Sequence, residues 1–399
     1  MKALEHLLIL DLTHMLSGPY ATMLLADMGA QTIKIEPPGK GEITRKALSE
    51  HPEYSRSGLG PYFLTLNRNK RSIAIDLKSQ AGLDIFYGLA KIADIVIDNF
   101  SAGVTKRLKI DHDVLSSINP KIITCTVTGF GETGPEIDRP AFDQVVQGMG
   151  GGMSITGEPE GPPLRAGIPI GDLSGGLFGA LGVLAAVCAR GTTGRGQHVD
   201  VSMLDCQISL LNYMATMYLL SGKDPEPLGN GHFVHIPYNT FRTQSDWIII
   251  AVIGDNFWKN LLEVIDSPVL RNEKYLTQPG RFEDRDKINN IVQDMLMTHP
   301  AEYWLKKLQE KRIPCAPVNK FSQALSDPQI LARNMVITVK NSNGDEARMP
   351  GNPIKLSEYT SEEYTYPPQL GQHTEEILMG KLGYTRDRIA ELRNKNVIG

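Results

Sequence analysis

The alternation of short apolar segments with helix-length segments along the first half of the chain constrains the fold more than any other feature. Residues 6–12 and 31–36 are strand-like, and the helix-like segment between them, residues 17–28, has Pro19 in its first turn. Residues 122–128 are rich in β-branched side chains, which is typical of a buried strand. The same pattern predicts strands at 72–77, 94–98 and 198–202, and helices at 80–93, 114–118, 172–190 and 203–220. This order predicts a parallel sheet covered by helices.

The local composition changes after the predicted helix 203–220. Residues 221–236 are rich in Gly, Pro and Asn, as expected of a domain boundary. We therefore expect a large α/β domain over residues 1–220, a smaller α+β domain over 221–324, and a return to the large domain over 325–399. The expected fold class is α/β, with a large Rossmann-like parallel-sheet domain and a smaller α+β domain.

Charge and cysteine usage exclude several classes of protein. The net charge of −4 argues against a nucleic-acid binder, which would usually carry a basic field. The four cysteines have neither CxxC spacing nor a His cluster, so we expect no disulfide scaffold and no metal site, and reduced thiols in a cytoplasmic protein. The N-terminal apolar run is too short for a signal peptide. The longest apolar stretch, residues 175–189, is shorter than the roughly 20 residues that a membrane helix needs and predicts a buried helix.

One acidic residue, Asp172, stands at the predicted start of this apolar helix, among the glycines of segment 168–176. A helix N-terminus carries partial positive charge and stabilises an anion. A carboxylate kept ionised in a partly dry pocket is a usable nucleophile, and neighbouring glycines would admit a bulky substrate and supply N–H groups to an oxyanion. The alternative is that Asp172 caps the helix, a role that Asp commonly takes. The two roles are compatible.

A series of short motifs runs along nearly the whole chain. They are 11–13 (DLT), 17–19 (SGP), 29–30 (GA), 33–37 (IKIEP), 66–73 (LNRNKRSI), 98–100 (DNF), 129–131 (GFG), 141–143 (AFD), 193–197 (TGRGQ) and 370–374 (LGQHT). In this order and spacing they resemble the class III CoA-transferase family, of the CaiB/BaiF type. The resemblance also implies a homodimer of two interlocked chains.

The resemblance implies a mechanism centred on Asp172. In that family an Asp at this position attacks an acyl-CoA thioester to give an aspartyl-acyl anhydride and CoA thiolate. The thiolate returns to form an aspartyl-CoA thioester, which an acceptor carboxylate then attacks. Because each attacking group is already an anion, no general base is needed. No metal, ATP or permanently bound cofactor is expected; coenzyme A enters as part of the substrate.

The resemblance also implies where CoA binds. The residues implied are Asp76, Lys78, Asn99, Phe100, Arg107, Arg139, Phe142 and Asp143. Arg107 would pair with a phosphate, although it could equally be a solvated surface charge. Asp143 could hydrogen-bond near the nucleophile or cap the helix that begins there.

The sequence departs from the formyl-CoA transferases of the family at several positions. Pro37 and Pro140 replace an Arg and a Lys, with Arg139 next door as a substitute, and Phe142 replaces a Tyr. Residues 220–260 contain no glycine-rich run that could form the lid of those enzymes. These departures argue against oxalate and formate as the natural pair.

The overall pattern is nearest to members that use short dicarboxylates, such as glutarate, with succinyl-CoA as donor. Arg165, seven residues before Asp172, could hold a second carboxylate by a bidentate contact. Arg45, His14 and His235 are weaker candidates for the same role, and each could equally be structural.

Three other functions compete with this interpretation. Racemases of the same superfamily place a His just before the residue that corresponds to Asp143, where this chain has Phe142, which cannot act as a base. A non-catalytic CoA-binding protein would lack the nucleophile, and Asp172 is present. A nicotinamide-dependent dehydrogenase would have a GxGxxG motif after the first strand, and residues 13–18 do not contain one.

Overall fold

The computed structural model describes residues 2–359 and 362–399. The strands in this part of the chain are β1 (Leu8–Asp11), β2 (Gln31–Glu36), β3 (Lys70–Ala74), β4 (Ile95–Asp98), β5 (Ile123–Thr128), β6 (His198–Ser202), β7 (Tyr238–Arg242), β8 (Trp247–Ala251), β9 (Cys315–Pro317), β10 (Val336–Lys340) and β11 (Glu346–Pro350). The α-helices are α1 (Ser17–Asp27), α2 (Pro61–Leu66), α3 (Gln80–Ala90), α4 (Val104–Leu108), α5 (His112–Ile118), α6 (Asp143–Met149), α7 (Ile170–Thr193), α8 (Met203–Leu211), α9 (Tyr213–Ser221), α10 (Asp255–Val264), α11 (Gln278–Glu283), α12 (Arg285–Leu296), α13 (Ala301–Glu310), α14 (Phe321–Ala324), α15 (Pro328–Ala332), α16 (Thr374–Leu382) and α17 (Arg386–Asn394).

The chain divides into two compact units. The first contains residues 1–152, 166–217 and 331–399, and the second contains residues 153–165 and 218–330. Segment 153–165 therefore groups with the second unit, whereas the sequence pattern had left it in the large domain. The local composition of this short segment gives no sign of the change, because the contacts that place it are made with residues far along the chain.

The first unit is built on a six-stranded sheet in the order β3-β2-β1-β4-β5-β6. Every neighbouring pair is parallel, with Leu8 opposite Gln31 in β1–β2 and Ile9 opposite Ile95 in β1–β4. The predicted α/β class is confirmed, and the order is that of a doubly wound Rossmann sheet. The order reverses between β1 and β4, so the carboxyl ends of these two strands frame a crevice in which such sheets bind ligands.

Both faces of this sheet are covered, which explains the near-continuous apolar strands. Successive residues of a strand alternate between the two faces, so Leu10 and Val96 join one core and Ile9 and Ile97 the other. Helices α3, α16 and α17 contribute to the first core, and α1 and α7 to the second.

Helix α7 is longer and more exposed than the sequence pattern indicated. It has 24 residues, so by length and composition alone it could span a membrane. One side packs on α1 and β5 through Gly175, Gly176 and Gly179. The other side carries Leu177 and Leu181, which are 50% and 61% exposed. The expectation of a buried helix was therefore correct for one face only, because a helix that covers a sheet buries only the side that it turns towards the strands.

Several other element boundaries differ from the prediction, most clearly in two places. The segment expected as one helix over 203–220 forms α8 and α9, because Asn212 has φ of 48° and interrupts the helical backbone. Strand β3 runs from Lys70 to Ala74, so it begins and ends earlier than the expected 72–77. In the turn that follows, Lys78 N–H donates to the Asp76 side chain at 3.0 Å.

The second unit has its own sheet and core. Its three strands, in the order β7-β8-β9, are antiparallel. The core contains Trp258 from α10, Val292 from α12 and Trp304 from α13. The mixture of helices with an antiparallel sheet is an α+β arrangement.

We expect Gly176→Ala to destabilise the protein by about 1–3 kcal/mol, as overpacked cores do. A Cβ at Gly176 would lie 2.5 Å from the carbonyl oxygen of Ser17, so α7 would have to move away from α1. Gly191, in the same helix, has no atom within 4 Å of the corresponding position. Gly191→Ala should leave stability unchanged or raise it by up to about 1 kcal/mol. Midpoints of urea denaturation compare the two, and equal midpoints would contradict the role given to Gly176.

Candidate active site

A cavity of about 260 Å³ lies where the strand order of the large sheet reverses. Its walls come from the loops after β1, β4 and β5, from segment 137–142, and from the side chains of Asp172 and Met203. This is the position at which doubly wound sheets bind ligands, because the loops leaving the two central strands diverge there.

Asn99 fixes one wall of this cavity. Its side chain accepts a hydrogen bond from His14 N–H at 2.7 Å and donates one to the His14 carbonyl at 2.8 Å. The ring of Phe100 lies 4.8 Å from that of His14. The loops after β1 and β4 are thus held together across the reversal point, which defines the shape of the cavity before any ligand enters.

Asp172 lies in the first turn of α7, with its side chain in the cavity. The helix begins at Ile170 after Pro169, so the alternative that Asp172 caps the helix was wrong. The carboxylate of Asp143 takes the capping position: it accepts the N–H of Gly171 at 2.8 Å and that of Asp172 at 3.4 Å. Asp143 therefore forms hydrogen bonds beside Asp172, as one of its two predicted roles required.

The glycines around Asp172 serve helix packing in this structure. The N–H of Gly171 already donates to Asp143, so it does not face an incoming oxyanion. A Cβ at Gly175 would meet Met203 at 2.9 Å, and one at Gly176 would meet the carbonyl oxygen of Ser17. The expectation that these residues admit the substrate was wrong, because α1 and α8 occupy the space beside them.

The carboxyl of Asp172 is more basic than an ordinary aspartate. Burial, and second the negative charge of Asp143, raise its pKa to about 6. The shift is opposite to the effect of the helix N-terminus alone. A group with this pKa is still about nine-tenths ionised at pH 7, and its higher basicity makes it a better nucleophile.

Several predicted site residues do line the cavity. Arg139 supplies its positive charge; its guanidinium lies 5.4 Å from the ring of Phe130 and 3.1 Å from Glu136. Phe142 is largely exposed at the rim. Burial lowers the pKa of His14, so this side chain can offer a neutral hydrogen bond rather than a cation. The ring of His14 is therefore poorly suited to the ionic contact expected of it.

Other predicted residues lie elsewhere. The guanidinium of Arg45 is buried, bonded to Glu36 at 2.6 Å and stacked 3.8 Å over the ring of Phe63. We withdraw Arg45 as a substrate ligand, because its hydrogen-bonding capacity is already used inside the fold. Arg165 and His235 belong to the second unit, where the ring of His235 lies 4.7 Å from that of His232. Their roles stay predictions.

Three of the residues expected to bind CoA, Asp76, Lys78 and Arg107, lie outside the cavity lining. Asp76 and Lys78 form the turn after β3, and Arg107 is in the last turn of α4, which follows the wall at Phe100. Their contact with CoA stays a prediction. Among the described residues, no three His, Cys, Asp or Glu side chains form a set that could hold a metal ion.

Sequence reasoning missed several residues that line the cavity. Asp138, Ser17 and Met203 were not predicted as site residues. Ser17 belongs to one of the recognised motifs (17–19), and Asp138 lies between two others (129–131 and 141–143), so these motifs were the available signal. Met203 carried no signal, since an apolar residue at a helix start is common in any core.

Comparison with known proteins assigns the family. A family model described as CoA-transferase family III matches residues 4–374. The chain belongs to CoA-transferase family III. It is 38% identical to the acetyl-CoA:oxalate CoA-transferase of Acetobacter aceti over 89% of each chain. It is 32% identical to the succinyl-CoA:glutarate CoA-transferase of Homo sapiens, over 100% of this chain and 90% of that one.

A solved structure agrees with this assignment. A CaiB/BaiF family protein from Brucella suis has a TM-score of 0.83 and 32% identity, and the match covers 95% of this chain and 99% of that one. The resemblance drawn from the motifs is confirmed, and the family III protein described here is an enzyme that transfers CoA. The dehydrogenase and non-catalytic alternatives are thereby excluded.

We expect the kcat/KM of CoA transfer to fall as the pH drops through about 6, because protonation removes the nucleophile. Asp143→Asn removes the neighbouring charge but keeps an oxygen for the N–H of Gly171. The acid limb of the pH profile, where kcat/KM falls, should therefore move to lower pH. Asp138→Asn is the matched control: Asp138 lines the same cavity, but its charge does not raise the pKa of Asp172. An acid limb that stays in place in Asp143→Asn would show that Asp143 does not act on Asp172.

Proposed function

We propose that this family III enzyme moves CoA from a short acyl-CoA, such as succinyl-CoA, to a short dicarboxylic acid, with Asp172 as covalent nucleophile. The observation that carries the proposal is the position of the Asp172 carboxylate: it lies in the cavity at the sheet reversal point, and its pKa is about 6. Named relatives include transferases for glutarate and mesaconate with succinyl-CoA as donor, at 32% and 36% identity.

In the proposed reaction every step is an exchange at a carbonyl carbon. Asp172 attacks the thioester carbonyl, giving an aspartyl-acyl anhydride and CoA thiolate. The thiolate attacks the aspartyl carbonyl, so the donor acid leaves and an aspartyl-CoA thioester remains. The acceptor carboxylate attacks this thioester and releases the thiolate again, which then takes the acyl group from the new anhydride. Asp172 is regenerated as a carboxylate, and no proton needs to be moved.

The cavity lining contains a cation, Arg139, together with the acidic Asp138 and Asp172, and the proposed substrates are anionic. Arg139 supplies a positive charge in the cavity lining and could hold a CoA phosphate or a second carboxylate of the acceptor. The ring faces of Phe100 and Phe142 provide apolar walls for the pantetheine arm. The proposed sequence needs neither metal nor resident cofactor, because donor and acceptor are chemically similar acids.

Substrate choice is tested with a matrix of donors and acceptors. Succinyl-CoA and acetyl-CoA are each incubated with glutarate, mesaconate, itaconate, malate, oxalate and carnitine, and new acyl-CoA is measured by mass spectrometry. Oxalate stays in the set although Pro37 and Pro140 argued against it, since a 38% identical relative is named for it. We expect transfer to a dicarboxylate, at least about 1,000-fold slower in Asp172→Ala.

Two outcomes of this matrix would reject the proposal. Full activity of Asp172→Ala would remove the nucleophile from the mechanism. Absence of transfer with every pair, together with α-proton exchange of a branched acyl-CoA in deuterated water, would favour the racemase alternative. Hydroxylamine added during turnover should convert Asp172 to a hydroxamate, which peptide mass spectrometry detects. An unmodified Asp172 during normal turnover would contradict the covalent route.

We further propose that the enzyme is a cytoplasmic homodimer of interlocked chains. Helices α7 and α8 present Leu177, Leu181 and Ile208, each at least 50% exposed, and a second chain would remove this apolar surface from water. The four cysteines are free, and Cys125 and Cys206 are buried, as suits a reducing compartment.

Light scattering after gel filtration should give twice the mass of one chain. Leu181→Glu places a charge on the proposed interface and should shift the protein towards monomer or aggregate. Ile92→Glu is the matched control, because Ile92 is similarly exposed but follows α3. A monomeric wild type, or equal behaviour of the two variants, would contradict the proposed dimer.

A further inference from the structure

Gln147 is a buried polar residue one helical turn after Asp143, and no step of the proposed reaction uses it. It lies on α6 and is 3% exposed. Its Nε2 donates to Oδ2 of Asp143 at 2.8 Å, and its Oε1 accepts the backbone N–H of Ala166 at 2.9 Å. Both ends of the amide are therefore bonded in a site that excludes water, where loss of either bond is costly.

The two bonds together determine which way the amide points. A backbone N–H can only donate, so the oxygen of Gln147 must face Ala166 and the NH₂ group must face Asp143. Ala166 leads into α7, four residues before that helix begins. Gln147 thus connects α6 with the segment that delivers the nucleophile.

The carboxylate of Asp143 has a separate donor for each oxygen. Oδ2 accepts from Gln147, and Oδ1 accepts from the N–H groups of Gly171 and Asp172. A carboxylate held at one oxygen could rotate about its terminal bond, whereas one held at both cannot. An amide donor also stabilises the ionised form of the carboxyl that it binds. Gln147 therefore fixes the orientation of Asp143 and places the positive end of an amide dipole beside its carboxylate.

We propose that Gln147 is a positioning residue for the transfer reaction: through Asp143 it sets the place and the charge state of the Asp172 carboxylate. The inference rests on the proposed role of Asp172 as nucleophile. Gln147 itself does not line the cavity. It should still have a measurable effect on the transfer reaction, because it binds Asp143, and the charge of Asp143 raises the pKa of Asp172.

Other titratable groups line the cavity or lie on the helices that pack against α7, and their effects must be distinguished from that of Asp143. They are His14 in the loop after β1, Tyr20 on α1, Asp138 and Arg139 in segment 137–142, and Asp205 and Cys206 on α8. Among the groups of the described chain, Asp143 is the one whose charge acts on Asp172 in addition to burial.

The direction of the effect follows from the coupled pair. The NH₂ group of Gln147 directs the positive end of its dipole towards the two neighbouring carboxylates. Without it the negative charge on Asp172 is less well compensated, so Asp172 stays protonated to higher pH. Removal of Gln147's donor should therefore raise the acid limb, whereas removal of the Asp143 charge lowers it. A residue with a merely structural role would lower kcat or stability and leave the limb in place.

The experiment compares Gln147→Glu and Gln147→Leu with Gln144→Glu and Gln144→Leu. Gln144 is exposed on the same helix and serves as the matched control. Gln147→Glu keeps the shape of the side chain and an acceptor for Ala166, so it should fold even where Gln147→Leu does not. When ionised, its carboxylate places a like charge beside Asp143 where the amide donor had been, which also raises the limb. The acid limb of kcat/KM should rise by about 0.5 pH unit or more in the Gln147 variants and stay unchanged in the Gln144 variants.

A second readout needs no catalysis. Protein labelled with ¹³C at the aspartate carboxyls is titrated by NMR, and the Asp172 signal is assigned by its absence in Asp172→Asn. This titration should move upward in the Gln147 variants by the same amount as the acid limb. Unmoved or lowered titration in every Gln147 variant that folds would overturn the inference. Activity retained by Asp172→Ala would instead reject the proposed function, while the NMR titration would still report on Gln147.

Discussion

The structure depends on the close approach of α7 to α1. At Gly176 the two helices are so near that the carbonyl oxygen of Ser17 occupies the place of a side chain. Ser17 also lines the cavity, so the contact that joins the helices is adjacent to the site itself. The first turn of α7, and with it the carboxylate of Asp172, is carried to the reversal point of the sheet by this packing rather than by a dedicated loop.

The electrostatics of the site combine two opposing requirements. A carboxylate must be ionised to attack, yet one stabilised too strongly is a weak nucleophile. Burial and the charge of Asp143 raise the basicity of Asp172, while the position at a helix N-terminus favours its charged form. Asp143 contributes to this balance in two ways. It accepts hydrogen bonds from N–H groups in the first turn of α7, and its negative charge repels the carboxylate of Asp172. The same side chain thus sets the position and the reactivity of its neighbour.

The alternation of strand-like and helix-like segments predicted the large sheet well, because the length and hydrophobic pattern of each segment are local properties of the sequence. Strands β2 and β6 have the expected bounds, and Asp172 lies at the start of an apolar helix, close to where the pattern placed it. The start of α7 was misplaced because its capping group, Asp143, is 28 residues away from Gly171. Likewise nothing near Arg45 in the sequence shows that Glu36 occupies its guanidinium. The predictions that were wrong concern side chains whose hydrogen-bond partners lie far away in the sequence, and local sequence patterns do not identify such partners.

The two sides of the cavity differ in how freely they could change during evolution or design. The side formed by α7 tolerates almost no amino-acid substitution. Its glycines are in contact with α1 and α8 on one face, and Asp172 lies in its first turn. Segment 137–142 lines the same cavity with mostly exposed side chains and belongs to no helix or strand. Changes of acid specificity on this scaffold should therefore be easiest to introduce at those six positions, while the helix that carries Asp172 has to be kept.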